Sequence, residues 1–323
     1  MRVFIQSPDA RSRIDGTIRQ NLLSYFECVR DQREADIVVI PVSFYSDFEF
    51  NDQLHRINKP IVIIDALEYG TSWKPGIDTH VLGRNSANFA NVSGSQWMRL
   101  DAFVRDHRPK VYFKRELLER EKSDWLRPVE FPCCIPAWPA QSKVDFDKRG
   151  IEVFMSWGLS HACRQALHGE MFSKALGNGI TMISAWDQFN GFDYANHKRV
   201  WASIHSPHFT RVDISTVLHH QSKAKISLSL PGNGFRCFRD TEAPVNAVMA
   251  CWNDGIARSY PWIHLDNCLR LRPNQEYIDL LDLIEGHTDE LHRIYLSGME
   301  TVDRYRSQNY VNNYLTPIIQ SKL

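Results

Sequence analysis

No stretch of this 323-residue chain stays apolar long enough to cross a bilayer: its longest apolar runs, Ile37 to Val42 and Ile61 to Ile64, fall far short of a spanning helix. The start, Met1-Arg-Val-Phe-Ile-Gln6, turns polar within a few residues, so no signal peptide is expected. Neither sign of charge dominates. Lys plus Arg and Asp plus Glu both total 38, so no global field draws the chain to nucleic acid or an acidic membrane, and any basic site must be local. The seven cysteines include adjacent Cys133 and Cys134 but no paired CxxC, which argues against a zinc module and a disulfide framework. A reducing compartment, the cytoplasm, is the expected location. The last residues, Ser321-Lys322-Leu323, match a peroxisomal address, a three-residue pattern of little specificity. GxGxxG, GxxxxGK[ST] and GxSxG are all missing, which removes the usual dinucleotide enzymes, P-loop phosphotransferases and α/β-hydrolases.

What is present is an alternation of short β-branched runs with longer amphipathic stretches, the pattern of parallel strands joined by helices. At 323 residues two domains are expected. Strands are predicted at Val3 to Gln6, Ile37 to Pro41, Ile61 to Asp65 and Val111 to Phe113. Between the first two, Thr17 to Val29 puts Ile18, Leu22, Tyr25, Phe26 and Val29 on one helical face. Pro128, Pro132, Pro136 and Pro139 then interrupt regular structure. The expected division is therefore an N-terminal domain over 1–130, a linker over 131–145 and a C-terminal domain over 146–323 carrying a terminal helix. The second half restarts the rhythm with strands at Ile151 to Ser156, Ile180 to Ser184 and Ala224 to Leu230, and helices over His161 to Ala175, from Arg239 and from Asn274. Asp289 to Tyr314 is helical in pattern, with Leu291, Ile294, Tyr295 and Met299 on one face. Which domain it packs against cannot be read from the sequence.

The segment richest in chemistry is Lys225-Ile-Ser-Leu-Ser-Leu-Pro-Gly-Asn-Gly-Phe-Arg-Cys-Phe-Arg-Asp-Thr-Glu-Ala243, a buried strand, a glycine-rich turn and a helix start. Gly232, Asn233 and Gly234 let a ligand approach the backbone, and the following helix start offers unpaired N–H groups to an anion. Arg236 and Arg239 add planar cations that suit a diphosphate, and Glu242, one helical turn after Arg239, can accept the hydroxyls of a ribose. Each feature alone is ordinary, a turn, an i,i+3 ion pair or a solvated arginine. Together, after an apolar strand, they describe a nucleotide diphosphate site at a strand's carboxyl end.

Competing constellations are weaker. Asp145-Phe-Asp147 fits the Asp-x-Asp pattern of a metal-held diphosphate, but beside the proline-rich linker it reads as a solvated turn, and no metal is assigned. Histidines 161 and 168, 205 and 208, and 219 and 220 lack the helical spacing and third ligand of a zinc site. Trp157 and Trp186 follow predicted strands, where a ring can stack on a sugar or base, although such rings are more often core. Lys110, Lys114, Arg115, Arg120, Lys122 and Arg127 are interleaved with Glu116, Glu119, Glu121 and Asp124 and read as an ordinary solvated helix.

The 225–243 segment resembles the C-terminal domain of exostosin-like and related GT-B glycosyltransferases, in which a strand and a proline-glycine turn precede an Arg-x-x-Glu-Ala pair; here Arg239, Glu242 and Ala243 match. Phe154-Met-Ser-Trp-Gly-Leu-Ser-His-Ala-Cys-Arg164 is similar to the strand, glycine and arginine that open the same domain, and Tyr112-Phe-Lys-Arg-Glu-Leu117 resembles bacterial and phage relatives. Where the family continues with glycine and proline, this chain has Ala247 and Ala250. The resemblance implies an α/β, GT-B fold of two Rossmann-like domains facing a cleft, with Arg239 near the phosphates, Glu242 near the ribose, and Gly158 and Arg164 at the donor loop. It implies a soluble glycosyltransferase that takes a nucleotide-sugar as substrate and needs no cofactor. The acceptor would be a glycan, a small molecule or a modified nucleic-acid base. Asp15, after the first strand, and Glu68, after the third, are the candidate bases for the acceptor hydroxyl. A non-catalytic nucleotide or glycan binding protein and a sugar nucleotide epimerase share the fold and stand as alternatives.

Overall fold

The computed structural model describes residues 1–6, 22, 25–42, 57–65, 103–104, 106–115, 117, 119–130, 145–158, 182–187, 214–230, 239–252, 255–271 and 286–322. Strands β1 (Arg2–Ile5), β2 (Glu27–Cys28), β3 (Ile37–Val42), β4 (Ile61–Asp65), β5 (Val111–Lys114) and β6 (Leu126–Pro128) form one six-stranded sheet in the order β2-β1-β3-β4-β5-β6. Every pairing in it is parallel. The middle strands are near-continuous runs such as Ile61-Val-Ile-Ile-Asp65, buried throughout, as expected for a parallel sheet covered on both faces. Val38, Ile40, Ile61 and Ile63 share one core cluster with Phe103 and Leu126. The order reverses between β1 and β3, a switch point of the doubly wound kind.

The second sheet has five strands, β7 (Ile151–Gly158), β8 (Met182–Asp187), β9 (Ala224–Ser229), β10 (Val248–Trp252) and β11 (Leu269–Leu271), in the order β11-β10-β9-β7-β8 and again all parallel. Helices α1 (Ile214–Gln221) and α2 (Arg239–Asn246) precede and follow β9, and α3 (Thr288–Tyr305) is the long helix near the end. The sequence reading misses β2, β6, β10 and β11. It also extends the first helix through Val29, whereas Glu27–Cys28 pairs with β1 as β2, and Tyr25, placed on the apolar face, is 46% exposed.

The chain divides into two compact units: Met1–Cys134 with Gly255–Pro261 and Asp303–Leu323, and Ile135–Asp254 with Trp262–Val302. The sequence reading assigned all of 146–323 to the second domain, so residues 255–261 and 303–323 fall differently from that scheme. The chemistry that holds them in the first unit is specific. Gly255 adopts φ +67°, a conformation open to glycine, and its carbonyl accepts from Glu119 N at 2.9 Å, while Ala257 N donates to Leu117 O at 2.7 Å. Tyr260, Tyr305, Tyr310 and Tyr314 then pack ring against ring, with centroids 5.3–6.3 Å apart. Tyr314 Oη donates to Pro128 O at 2.9 Å.

Glu130, 3% exposed, closes this arrangement. Its carboxylate accepts from Ser259 N at 2.9 Å, from Ser259 Oγ and from Tyr310 Oη at 3.1 Å. Burial, and then the Glu130 charge, push the Tyr310 phenol well above the usual tyrosine range, so it stays a donor. Tyr310→Phe removes a donor to a buried carboxylate and should cost about 1–3 kcal/mol, read from the urea midpoint. A change below about 0.5 kcal/mol would show that the remaining partners satisfy Glu130.

Candidate functional site

Within the second unit, two sets of hydrogen bonds fix the direction of α2. Ser229, the last residue of β9, donates from Oγ to Asp240 Oδ1 at 2.6 Å, which sets the first turn of α2 at the carboxyl edge of the sheet. At the other end, Arg149 Nη1 donates to both Ala224 O, at the start of β9, and Asn246 O, at the end of α2, at 2.8 and 2.6 Å. The helix therefore runs back along its strand, as a β-α-β connection requires. Its eight residues include Pro244, which has no N–H for the Asp240 carbonyl.

This placement sorts the side chains of the first turn. Asp240, Thr241 and Ala243 are buried, while Arg239 and Glu242, three residues apart, stay partly exposed. The Arg-x-x-Glu pair is thus presented at the sheet's carboxyl edge, beside the strand end where open α/β sheets bind ligands. The order β9-β7-β8 reverses about β7, so the ends of β7 and β9 flank the switch point of this sheet. Gly158 ends β7, in register with Asp187 of β8. Arg164, Gly232, Asn233, Gly234 and Arg236 lie outside the described residues, as do Asp15 and Glu68.

Serines of β9 form a feature that the sequence reading passed over. Alternation sends Ile226 and Leu228 to one face and Ser227 and Ser229 to the other. Ser227 Oγ accepts from Gln221 Nε2 at 3.0 Å, and Gln221 Oε1 accepts from Asn246 Nδ2 at 3.3 Å. All of these polar groups are buried. Pro244 also meets α3 closely: a Cβ at Gly298 would lie 3.7 Å from Pro244 Cβ and 3.0 Å from Asn267 O.

Two of the residues read as a solvated basic helix, Lys114 and Arg115, behave otherwise, while Lys110, Arg120 and Lys122 are exposed. Lys114 and Asp65 are in register on neighbouring strands at the carboxyl edge of the first sheet, both fully buried, with Nζ to Oδ2 at 3.2 Å. Tyr112, two residues earlier and so on the same face, donates from Oη to the same Asp65 oxygen at 2.5 Å. Arg115 is 2% exposed in the turn that follows. These residues belong to a strand and its turn, and the correction follows from the burial of β5 on both faces.

Asp145 precedes a short turn and its exposed side chain pairs with Lys148 at 2.6 Å, an interaction that holds its carboxyl below the usual range. His219 and His220 stand 5.6 Å apart between ring centroids, and burial, then His219 and Lys223, lower the His220 pKa. Among the described residues no three His, Cys, Asp or Glu side chains converge as metal ligands. Among the same residues no helix is long and apolar enough to cross a membrane.

The two all-parallel sheets, one in each unit, belong to a GT-B fold. It is similar over its length to solved glycosyltransferases. An alpha-glucosyltransferase in complex with UDP and a 13-mer DNA containing a HMU base superposes with TM-score 0.57 at 11% identity, covering 99% of each chain. An alpha-glucosyltransferase in complex with UDP-glucose and DNA containing an abasic site gives 0.55 at 10%, covering 100% of this chain and 99% of the other. TarM gives 0.57 at 8%, covering 87% of this chain and 54% of TarM. No family model and no curated protein sequence matches the chain.

Proposed function

We infer that this protein is a glycosyltransferase that moves a sugar from a nucleotide-sugar to an acceptor hydroxyl, with the donor held by the second unit. The observation that carries this reading is α2. Its partly exposed Arg239 and Glu242 stand at the carboxyl edge of a parallel sheet, in a fold shared end to end with alpha-glucosyltransferases solved with UDP or UDP-glucose. A guanidinium there pairs with the diphosphate and offsets the charge that develops on it as the glycosidic bond breaks. Glu242 would take the ribose hydroxyls. The finer kinship with exostosin-like enzymes rests on the Arg239-x-x-Glu242-Ala243 pattern and is part of the same reading, as is transfer without a metal or other cofactor.

A modified nucleic-acid base is favoured as acceptor over a glycan. The chain spans almost completely the alpha-glucosyltransferases solved with DNA, one of which holds a HMU base. Asp15 and Glu68 remain the proposed bases for the acceptor hydroxyl, and the location proposed is the cytoplasm.

The test is stabilisation of the purified protein by UDP, GDP, ADP, CMP and TDP and by UDP-glucose, with and without EDTA, followed by transfer assays on DNA carrying a hydroxymethylated base and on glycans. One nucleoside diphosphate present at 100 times its Kd should add about 2.7 kcal/mol, with or without EDTA. Arg239→Ala removes a charge-assisted contact and should weaken that nucleotide by about 10- to 100-fold, measured by titration calorimetry. Unchanged affinity in Arg239→Ala would remove α2 from the donor site. A response that requires metal would overturn the metal-free reading.

A further inference from the structure

We propose that Ser229 and Asp240 are positioning residues of the donor site: their buried hydrogen bond sets the rotation and height of the first turn of α2, and so the place from which Arg239 and Glu242 act. This inference rests on the donor reading of α2 and adds to it the device that keeps the pair in register.

Two serines of one strand face do different work because they sit at different heights. Ser227 Oγ engages Gln221, the last residue of α1, and Gln221 in turn engages Asn246, the last residue of α2. Ser229 Oγ engages Asp240, beside Arg239 in the first turn of α2, at 2.6 Å. Ser229 is 2% and Asp240 5% exposed, so the bond is shielded from water and is a strong directional restraint. A helix turns by 3.6 residues, so holding Asp240 inward against β9 directs Arg239 and Glu242 together to the open side. Arg149 fixes the far end, at the amino edge of the sheet. The Ser229 bond acts at the opposite, ligand-side turn.

Ser227→Ala is the internal control, since it deletes a comparable buried hydroxyl contact on the same strand face, two residues further from the ligand edge. UDP affinity is measured by titration calorimetry, and turnover with UDP-glucose, for the wild type, Ser229→Ala, Ser227→Ala and Asp240→Asn. Both alanine variants should lose similar thermal stability. Only Ser229→Ala should weaken UDP, by about tenfold, equivalent to about 1.4 kcal/mol. Asp240→Asn, whose amide oxygen can still accept the Ser229 hydroxyl, should bind UDP more tightly than Ser229→Ala. Equal UDP affinities in Ser229→Ala and Ser227→Ala, with the wild type binding, would overturn the positioning role and leave the donor reading intact. A wild-type protein that binds no nucleoside diphosphate would overturn the donor reading and this inference with it.

Discussion

Lys114→Met should destabilise the first unit by about 3–5 kcal/mol, because it leaves a carboxylate buried without its cation. Both partners have no exposed side-chain surface, and their 3.2 Å separation is fixed by the register of β4 and β5. The Tyr112 hydroxyl on the same Asp65 oxygen at 2.5 Å cannot replace a full positive charge. In the double variant Lys114→Met with Asp65→Asn, both charges are gone and the asparagine oxygen still accepts from Tyr112, so most of the stability should return. Urea unfolding of the two single variants and the double variant measures this coupling. A Lys114→Met midpoint within about 1 kcal/mol of wild type would show that other groups at this edge compensate Asp65.

The same pair shows where sequence reading stops. Lys114 and Arg115 stand among alternating acids and bases, a pattern that reads as a wet surface, yet β5 is an inner strand buried on both sides. Nothing local distinguishes a lysine that meets water from one that meets an aspartate 49 positions away in register. Central strands β3 and β4 were legible because parallel burial leaves continuous apolar runs. By contrast, β6 carries Pro128, and only its place at the sheet edge makes a residue without an N–H acceptable there. Strand β10 follows α2 after the single residue Ala247, too abruptly for periodicity to separate them. Return of 303–323 to the first unit depends on tyrosines that a helical pattern treats as generic core. In the second unit the shared helix face of Arg239 and Glu242 was legible from i,i+3 spacing, whereas Ser227 and Ser229 look like neutral filler until the polar side chains of two helices are placed against them.

Arg149→Ala is the other large effect expected, again about 3–5 kcal/mol, and it separates the device that holds α2 from the groups proposed to bind with it. One guanidinium nitrogen satisfies two buried carbonyls, and the group lies 4.7 Å from the ring centroids of both Phe146 and Tyr295. Burial draws the Arg149 pKa down, with Tyr295 acting against it, yet an arginine side chain remains charged at neutral pH. Removing it takes a donor from the carbonyls of Ala224 and Asn246 and uncovers the stacked rings of Phe146 and Tyr295. Arg149→Lys keeps a cation able to reach a carbonyl but loses the flat face that stacks, so its midpoint should fall between those of the wild type and the alanine variant. Because Arg149 acts at the amino edge, the folded fraction of either variant should bind whichever nucleoside diphosphate stabilises the wild type with an affinity near that of wild type. If Arg149→Ala weakens that nucleotide as strongly as Ser229→Ala while remaining folded, the two ends of α2 are coupled, and the helix responds as one rigid body to the loss of either anchor.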